Sequence, residues 1–321
     1  MPRADCAPGR HRTRRRHPAI HAQRGVALVL VLWVALALTL VASAMVFSLQ
    51  RELRSASDIL AAAQARQAAR AAVSLGMAQT LQLDPDELHQ MLLEGTAGRW
   101  QSLPIGDGEV RYRITSEAGR VDLNRADPVV IVGLIREAGG VRGRRLEILT
   151  DNILDWRDPS PDTRHFGATP EEYRALGLVE GRRDGNFESV EELQQVAGIT
   201  AELYQRIAPH VTVHTGLSRP VADFAPTQVF AALPGVSSAF AERWVEERNR
   251  AVLEGLSPPV FRGSRAQPGT TRVFRLEAVA TSGRRSRAHV EAVFGHRGGP
   301  MPVSILEWRE PPAWAPGPGA Y

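Results

Sequence analysis

The stretch from Val26 to Gln50 contains no charged residue, and it limits what the chain can become more than any other feature. As a helix its 25 residues extend for roughly 37 Å, more than the ~30 Å hydrocarbon core of a bilayer. The run is too long for the apolar part of a secretory signal, which spans about 7 to 15 residues. Ala42, Ser43 and Ala44 do have the small-residue character of a signal cleavage site. Seven arginines precede the span and mixed charges follow it. The positive-inside rule therefore places the N-terminus in the cytoplasm and the remainder outside.

Beyond the span, Ser55 to Gln82 is rich in alanine and free of proline, which predicts an unbroken helix as far as Pro85. Counted from Val26, that is 57 residues and about 85 Å. Ala61, Ala65, Ala68, Ala72 and Gly76 recur at three-to-four-residue spacing. They form a small-residue stripe on which another backbone can pack closely; the alternative is that alanine merely raises helicity.

Charge and cysteine usage remove several function classes. Residues 1–25 carry a net charge of +6 and the whole chain +4, leaving −2 beyond Gly25. The basicity belongs to the leader and gives the rest of the chain no general attraction to nucleic acid. Cys6 is the only cysteine, so disulfides play no part after Gly25. Lysine is absent, which excludes a P-loop lysine, Schiff-base chemistry and a Ser-Lys dyad.

The basic leader ending in Gly25, the apolar helix starting at Val26 and its extension beyond the membrane resemble a type IV pilin-like N-terminus. The resemblance implies cleavage after Gly25 by a prepilin peptidase and methylation of Val26. Such proteins usually carry glutamate at the fifth mature residue, where this chain has Leu30. The minor pseudopilin K family of type II secretion (GspK) typically lacks that glutamate, in keeping with a place at the filament tip.

The soluble part reads as mixed α and β. "GEVRYRITSEAG" alternates Val110, Tyr112 and Ile114 with charged residues, as a half-buried strand does. "TRVFRLEAVATSGRRSRAHVEAVF" predicts two strands around a turn at Ser282 and Gly283, and "PVSILEWRE" predicts a further short one. Between them, residues 120–265 read as mainly helical. The expected fold is α+β: a long N-terminal transmembrane helix packed on a small antiparallel pilin-like sheet that is interrupted by a large helical domain. Its parts are a leader (1–25), the membrane and pseudopilus-core helix (26–50), the outer half of the helix with the first part of the α/β domain (51–119), the insertion (120–265), and the last strands with a tail (266–321).

The insertion contains a weak repeat. "GRVDLNRADPVVIVGL" aligns with "SRPVADFAPTQVFAAL" so that Asn124 meets Asp223, Ala126 meets Ala225 and Leu134 meets Leu233. Asn or Asp stands where an N-cap belongs, ahead of a proline and an apolar helix. "VDLNRA", "NILDWRDPSPDTRHFGATPEEYRALG", "NFESVEELQQVAGITAELYQRIAPHVTV" and "LEWRE" resemble GspK segments in the same order. The resemblance covers nearly the whole chain and implies the other minor pseudopilins, of the I and J classes, as partners.

Asp155, Asp158 and Asp162 lie in a proline-rich loop followed by Glu171 and Glu172. Such oxygen ligands suit Ca²⁺, and a solvated acidic turn is the alternative. The GspK resemblance implies calcium through Asp155, Asp158, Asp162 and Glu171, although Ser160 and Thr169 stand where the family tends to have acids.

A binding module is the competing class. "VEELQQVAGITAELYQRI" and "FAALPGVSSAFAERWVEER" have the pattern of helix-hairpin-helix domains, which would make this a membrane-anchored DNA-uptake protein. Both turns lack the second glycine that presents backbone N–H groups to phosphate. No Gly-x-Ser-x-Gly or His-Glu-x-x-His motif occurs, and His210 and His214 read as surface histidines. The expectation is a non-enzymatic pseudopilin of the bacterial inner membrane with a periplasmic domain and no nucleic-acid partner.

Overall fold

The structure is a computed structural model that describes residues 24–105, 108–160, 162–178, 185–261, 272–282, 286–296 and 302–311. The leader's basic cluster, Cys6 and the turn residue Gly283 lie outside these. The chain divides into two compact units, Met1–Ile59 and Leu60–Tyr321. Helix α1 (Arg24–Gln82) contributes to both.

In the first unit α1 is apolar around its circumference, and Leu28, Trp33, Leu38 and Phe47 are all exposed. Apolar side chains on every face suit a lipid environment and not an aqueous one. The Thr39 hydroxyl donates within the helix to the carbonyls of Ala35 and Leu36, as a membrane interior demands. Among the described residues α1 is the one helix long and apolar enough to cross a membrane.

In the second unit the end of α1 packs on a five-stranded antiparallel sheet of order β1-β2-β5-β6-β7. The strands are β1 (Gln101–Ile105), β2 (Gly108–Ser116), β5 (Val273–Ser282), β6 (Ser286–His296) and β7 (Val303–Arg309). One sheet face presents Val110, Tyr112, Ile114, Phe274, Leu276, Ala278, Val290, Ala292 and Phe294 to Ala65, Ala69, Ala72 and Val73 of α1. Period-2 alternation in the strands meets the small face of a helix, as the alternating sequence predicts. At Gly76 an added Cβ would lie 2.3 Å from Leu276 Cδ1.

The small-residue stripe is therefore filled by the chain's own sheet, which corrects the reading of Ala61, Ala65, Ala68 and Ala72 as an assembly surface. Ala65 and Ala72 are fully buried, while Ala61 and Ala68 are only partly covered. The backbone that approaches this face belongs to the same molecule.

Two elements escape the sequence patterns. Helix α2 (Pro85–Thr96) starts at the proline expected to end α1, because Asp84 and Glu87 form a capping box ahead of it. Strand β1 contains Pro104, yet pairs Gln101–Ile105 with Tyr112–Gly108. Proline is tolerated there because β1 is an edge strand.

The insertion occupies the chain between β2 and β5 and has its own core around Trp156, Leu134, Ile135, Phe230 and Leu233. It is built from α3 (Pro128–Glu137), α4 (Gly143–Trp156), the short α5 (Pro170–Ala175), α6 (Ala201–Ile207), α7 (Thr227–Ala231) and α8 (Ser238–Leu253). A two-residue parallel pair joins β3 (Val121–Asp122) to β4 (Val211–Thr212).

The aligned residues Asn124 and Asp223 do not act as N-caps; those positions are taken by Asp127 for α3 and Pro226 for α7. Asn124 instead bonds both the N–H and the C=O of Phe187, and Asp223 lies in the 3-10 turn Ala222–Phe224, ahead of Pro226 at the cap position of α7. The two halves share a different device. Arg157 donates to the carbonyls of Leu123 and Ala126, and Arg248 donates to those of Ala222 and Ala225, the positions equivalent in the alignment. Gly133 and Ala232 are also equivalent, and they meet: a Cβ on Gly133 would lie 2.2 Å from the Ala232 carbonyl oxygen.

Candidate functional site

Three parts of the chain bear on function: the apolar helix, the joint between sheet and insertion, and the acidic loop after α4.

Gly25 and Val26, the expected processing residues, fall at the start of α1. Leu30 is exposed on it. The exposed large apolar side chains of α1 run from Leu28 to Leu60, with Leu75 and Leu81 exposed further along it.

The joint is ionic. The second sheet face carries the cross-strand row Arg113, Glu277, Glu291 and Arg309. Glu117, in the 3-10 turn Glu117–Gly119 that leaves β2, is fully buried. Its Oε1 accepts from Arg275 Nε at 2.6 Å and faces Arg120 Nε at 3.2 Å. Burial alone would raise its pKa, but the Arg275 and Arg120 charges outweigh this and hold it down at about 2. Arg275 also pairs with Glu291, while Glu191 of the insertion reaches Arg309 of β7 at 2.6 Å. Asp122 completes the joint: though 1 % exposed, it accepts from the backbones of Asn124, Arg125, Thr215 and Gly216 and the Thr215 hydroxyl.

Two histidines expected on the surface belong here. His210 is partly buried, and desolvation followed by the Arg120 charge lowers its pKa to about 4. His214 Nε2 lies 3.7 Å from Glu307 Oε2. Spacing gave no sign of this, because Arg120 and Glu307 come from distant segments.

The acidic loop is organised differently from a calcium site. Asp155 is 1 % exposed, and its Oδ1 accepts from Arg164 Nη1 at 2.6 Å while its Oδ2 accepts from the Arg164 N–H at 3.0 Å. Asp158 Oδ2 accepts from Arg164 Nη2 at 3.0 Å. The N–H of Asp162 donates to Ser160 Oγ. Glu171 is exposed and pairs with Arg174, and Glu172 is engaged in a capping box with Thr169 at the start of α5. Among the described residues no group of three or more His, Cys, Asp or Glu side chains is placed to hold a metal ion. The residues present do not fit the expected calcium, because a guanidinium already stands between Asp155 and Asp158. Arg164 was available in the sequence, but nothing in its spacing set it apart from neighbouring arginines.

The helix-hairpin-helix turns are closed by hydroxyls. Gly198 and Gly235 take positive φ, and Thr200 and Ser237 cap the helices that follow by accepting from Leu203 N–H and Phe240 N–H. Side-chain oxygens thus take amides that a phosphate-binding hairpin would present to its ligand.

A membrane-length apolar helix whose far end packs on an antiparallel sheet, with a helical domain inserted between strands, defines a pilin-like anchored protein. Residues 125–216 match the family model described as "Type II secretion system (T2SS), protein K". It is 32% identical over 209 residues to type II secretion system protein K of Klebsiella pneumoniae, covering 60% of this chain and 63% of that protein. To the protein of the same name from Aeromonas hydrophila it is 28% identical over 215 residues, covering 60% and 64%. The matches therefore span just under two thirds of these relatives. The fold is similar to a chain in the crystal structure of the GspK-GspI-GspJ complex from enterotoxigenic Escherichia coli, with a TM-score of 0.50 and 15% identity over 81% of this chain and 98% of that one.

Proposed function

We propose that this chain is a minor pseudopilin of the K class, assembling at the tip of a periplasmic pseudopilus to support export of folded proteins by type II secretion. The observation that carries the reading is the protein K domain at residues 125–216, set within a pilin-like sheet whose helix starts as an exposed apolar span. The helix lies in the inner membrane with the leader cytoplasmic, as the positive-inside rule favours. Prepilin peptidase cuts after Gly25, and the matured helix then moves into the filament core. The domain works by assembly and not by catalysis.

The partners are minor pseudopilins of the I and J classes, a reading supported by the composition of the GspK-GspI-GspJ complex, one chain of which this fold resembles. A large domain between β2 and β5 suits the end of a filament, since it would obstruct repeated stacking. Leu30 in place of glutamate fits a subunit with none above it. The test is co-expression of the full chain with I-class and J-class pseudopilins of the same bacterium. Recovery of a three-component complex that depends on residues 28–60 is expected. Recovery of the chain alone under conditions where the other two associate would contradict the proposal.

A further inference from the structure

We propose that Arg164 is the built-in cation of the loop after α4, so that this insertion orders the loop without a divalent ion.

The need for a positive charge is set by Asp155. Its carboxylate is 1 % exposed, and a buried carboxylate without a counter-charge is strongly disfavoured. An added Cβ at Gly167 would lie 2.0 Å from Asp155 Oδ2, so the chain comes this close only because residue 167 has no side chain. Arg164 meets the need twice, through its guanidinium on Oδ1 and its own N–H on Oδ2. The other arm of the fork reaches Asp158. A planar guanidinium with several donors in fixed directions suits two carboxylates better than the point charge of a lysine would.

The same helix holds the rest of the loop. Asp151 Oδ2 accepts from Phe166 N–H at 3.0 Å, and Asn152 Oδ1 accepts from Ala168 N–H at 2.7 Å. Alternate amides of residues 164, 166 and 168 are thus all taken by side chains of α4. A calcium ion would require six to eight oxygen ligands, but both oxygens of Asp155 already accept from Arg164, whose guanidinium is itself a cation.

Hydrogen exchange of the full chain in detergent micelles tests this at the amides of Arg164, Phe166 and Ala168. Their protection is expected to be the same in millimolar CaCl₂ and in EDTA. A rise in protection at these three amides with calcium would overturn the proposal. In Arg164→Gln their exchange is expected to accelerate by about tenfold or more in either medium, since local opening sets the rate. Unchanged protection in that variant would also overturn it. If Arg164→Gln fails to fold, the comparison of CaCl₂ with EDTA on the unaltered chain decides alone.

Discussion

Glu117 and Arg275, 158 residues apart in sequence, meet through Oε1 and Nε at 2.6 Å in the joint between insertion and sheet. Neither is more than 6% exposed. Breaking one side of such a buried pair costs about 3–5 kcal/mol because the partner is left charged and desolvated. Glu117→Ala is expected to lower the unfolding free energy of the chain, read by urea denaturation, by that amount. Replacing both residues with apolar ones, Glu117→Leu with Arg275→Met, is expected to cost less than the single change. A double variant weaker than the single one would contradict the pairing.

Acid sensitivity follows from the same joint. Glu117 titrates near 2 in the folded chain against an ordinary 4.5, so its stabilisation is complete above pH 4.5 and is lost as pH falls towards 2. His210 titrates near 4 against 6.5. The unfolded chain therefore binds the proton first, and stability also falls as pH drops from 6.5 to 4. Denaturation at a series of pH values should show His210→Asn flattening the upper interval and Glu117→Gln the lower one.

The crossing of α3 and α7 gives a test with an unusual sign. In an exposed helix Gly→Ala stabilises by up to about 1 kcal/mol. At Gly133 the new methyl would strike the Ala232 carbonyl, and overpacking of this kind costs about 1–3 kcal/mol. Gly133→Ala should therefore lower the thermal midpoint, read by circular dichroism.

Arg248 is 2 % exposed, and burial pulls its pKa down to about 10. It remains charged at neutral pH and donates to two carbonyls. Arg248→Met preserves much of the volume but leaves the oxygens of Ala222 and Ala225 without this donor, at about 1–3 kcal/mol for each buried group. Loss of stability with the near-ultraviolet spectrum of the aromatic core retained is the expected outcome.

What could be read from the sequence was what periodicity and composition encode. The uncharged run at Val26–Gln50, the alternation through Val110, Tyr112 and Ile114, and the paired strands near the C-terminus all repeat over enough residues to identify an element. What escaped depended on local exceptions or distant neighbours. Pro104 is compatible with β1 only because that strand is an edge, and the Asp84–Glu87 capping box starts a second helix where Pro85 was read only as an end. The alanine stripe is visible in the sequence, but the sheet that covers it is assembled from β2 and from β5 and β6 at the far end of the chain, so the sequence alone does not name what packs there. At the acidic loop the carboxylates are apparent from composition, whereas the contact of Arg164 with Asp155 and Asp158 depends on how the loop folds back on α4. Arg157 and Arg248 occupy non-equivalent positions in sequence yet do the same work in the two halves, so no alignment of the repeat could pair them.

The most direct test of the account is mass spectrometry of the mature N-terminus of the chain isolated from its own membranes. A polypeptide starting at Val26 with an added methyl group is predicted. An intact leader, or cleavage after Ala44, would contradict the assignment as a pseudopilin.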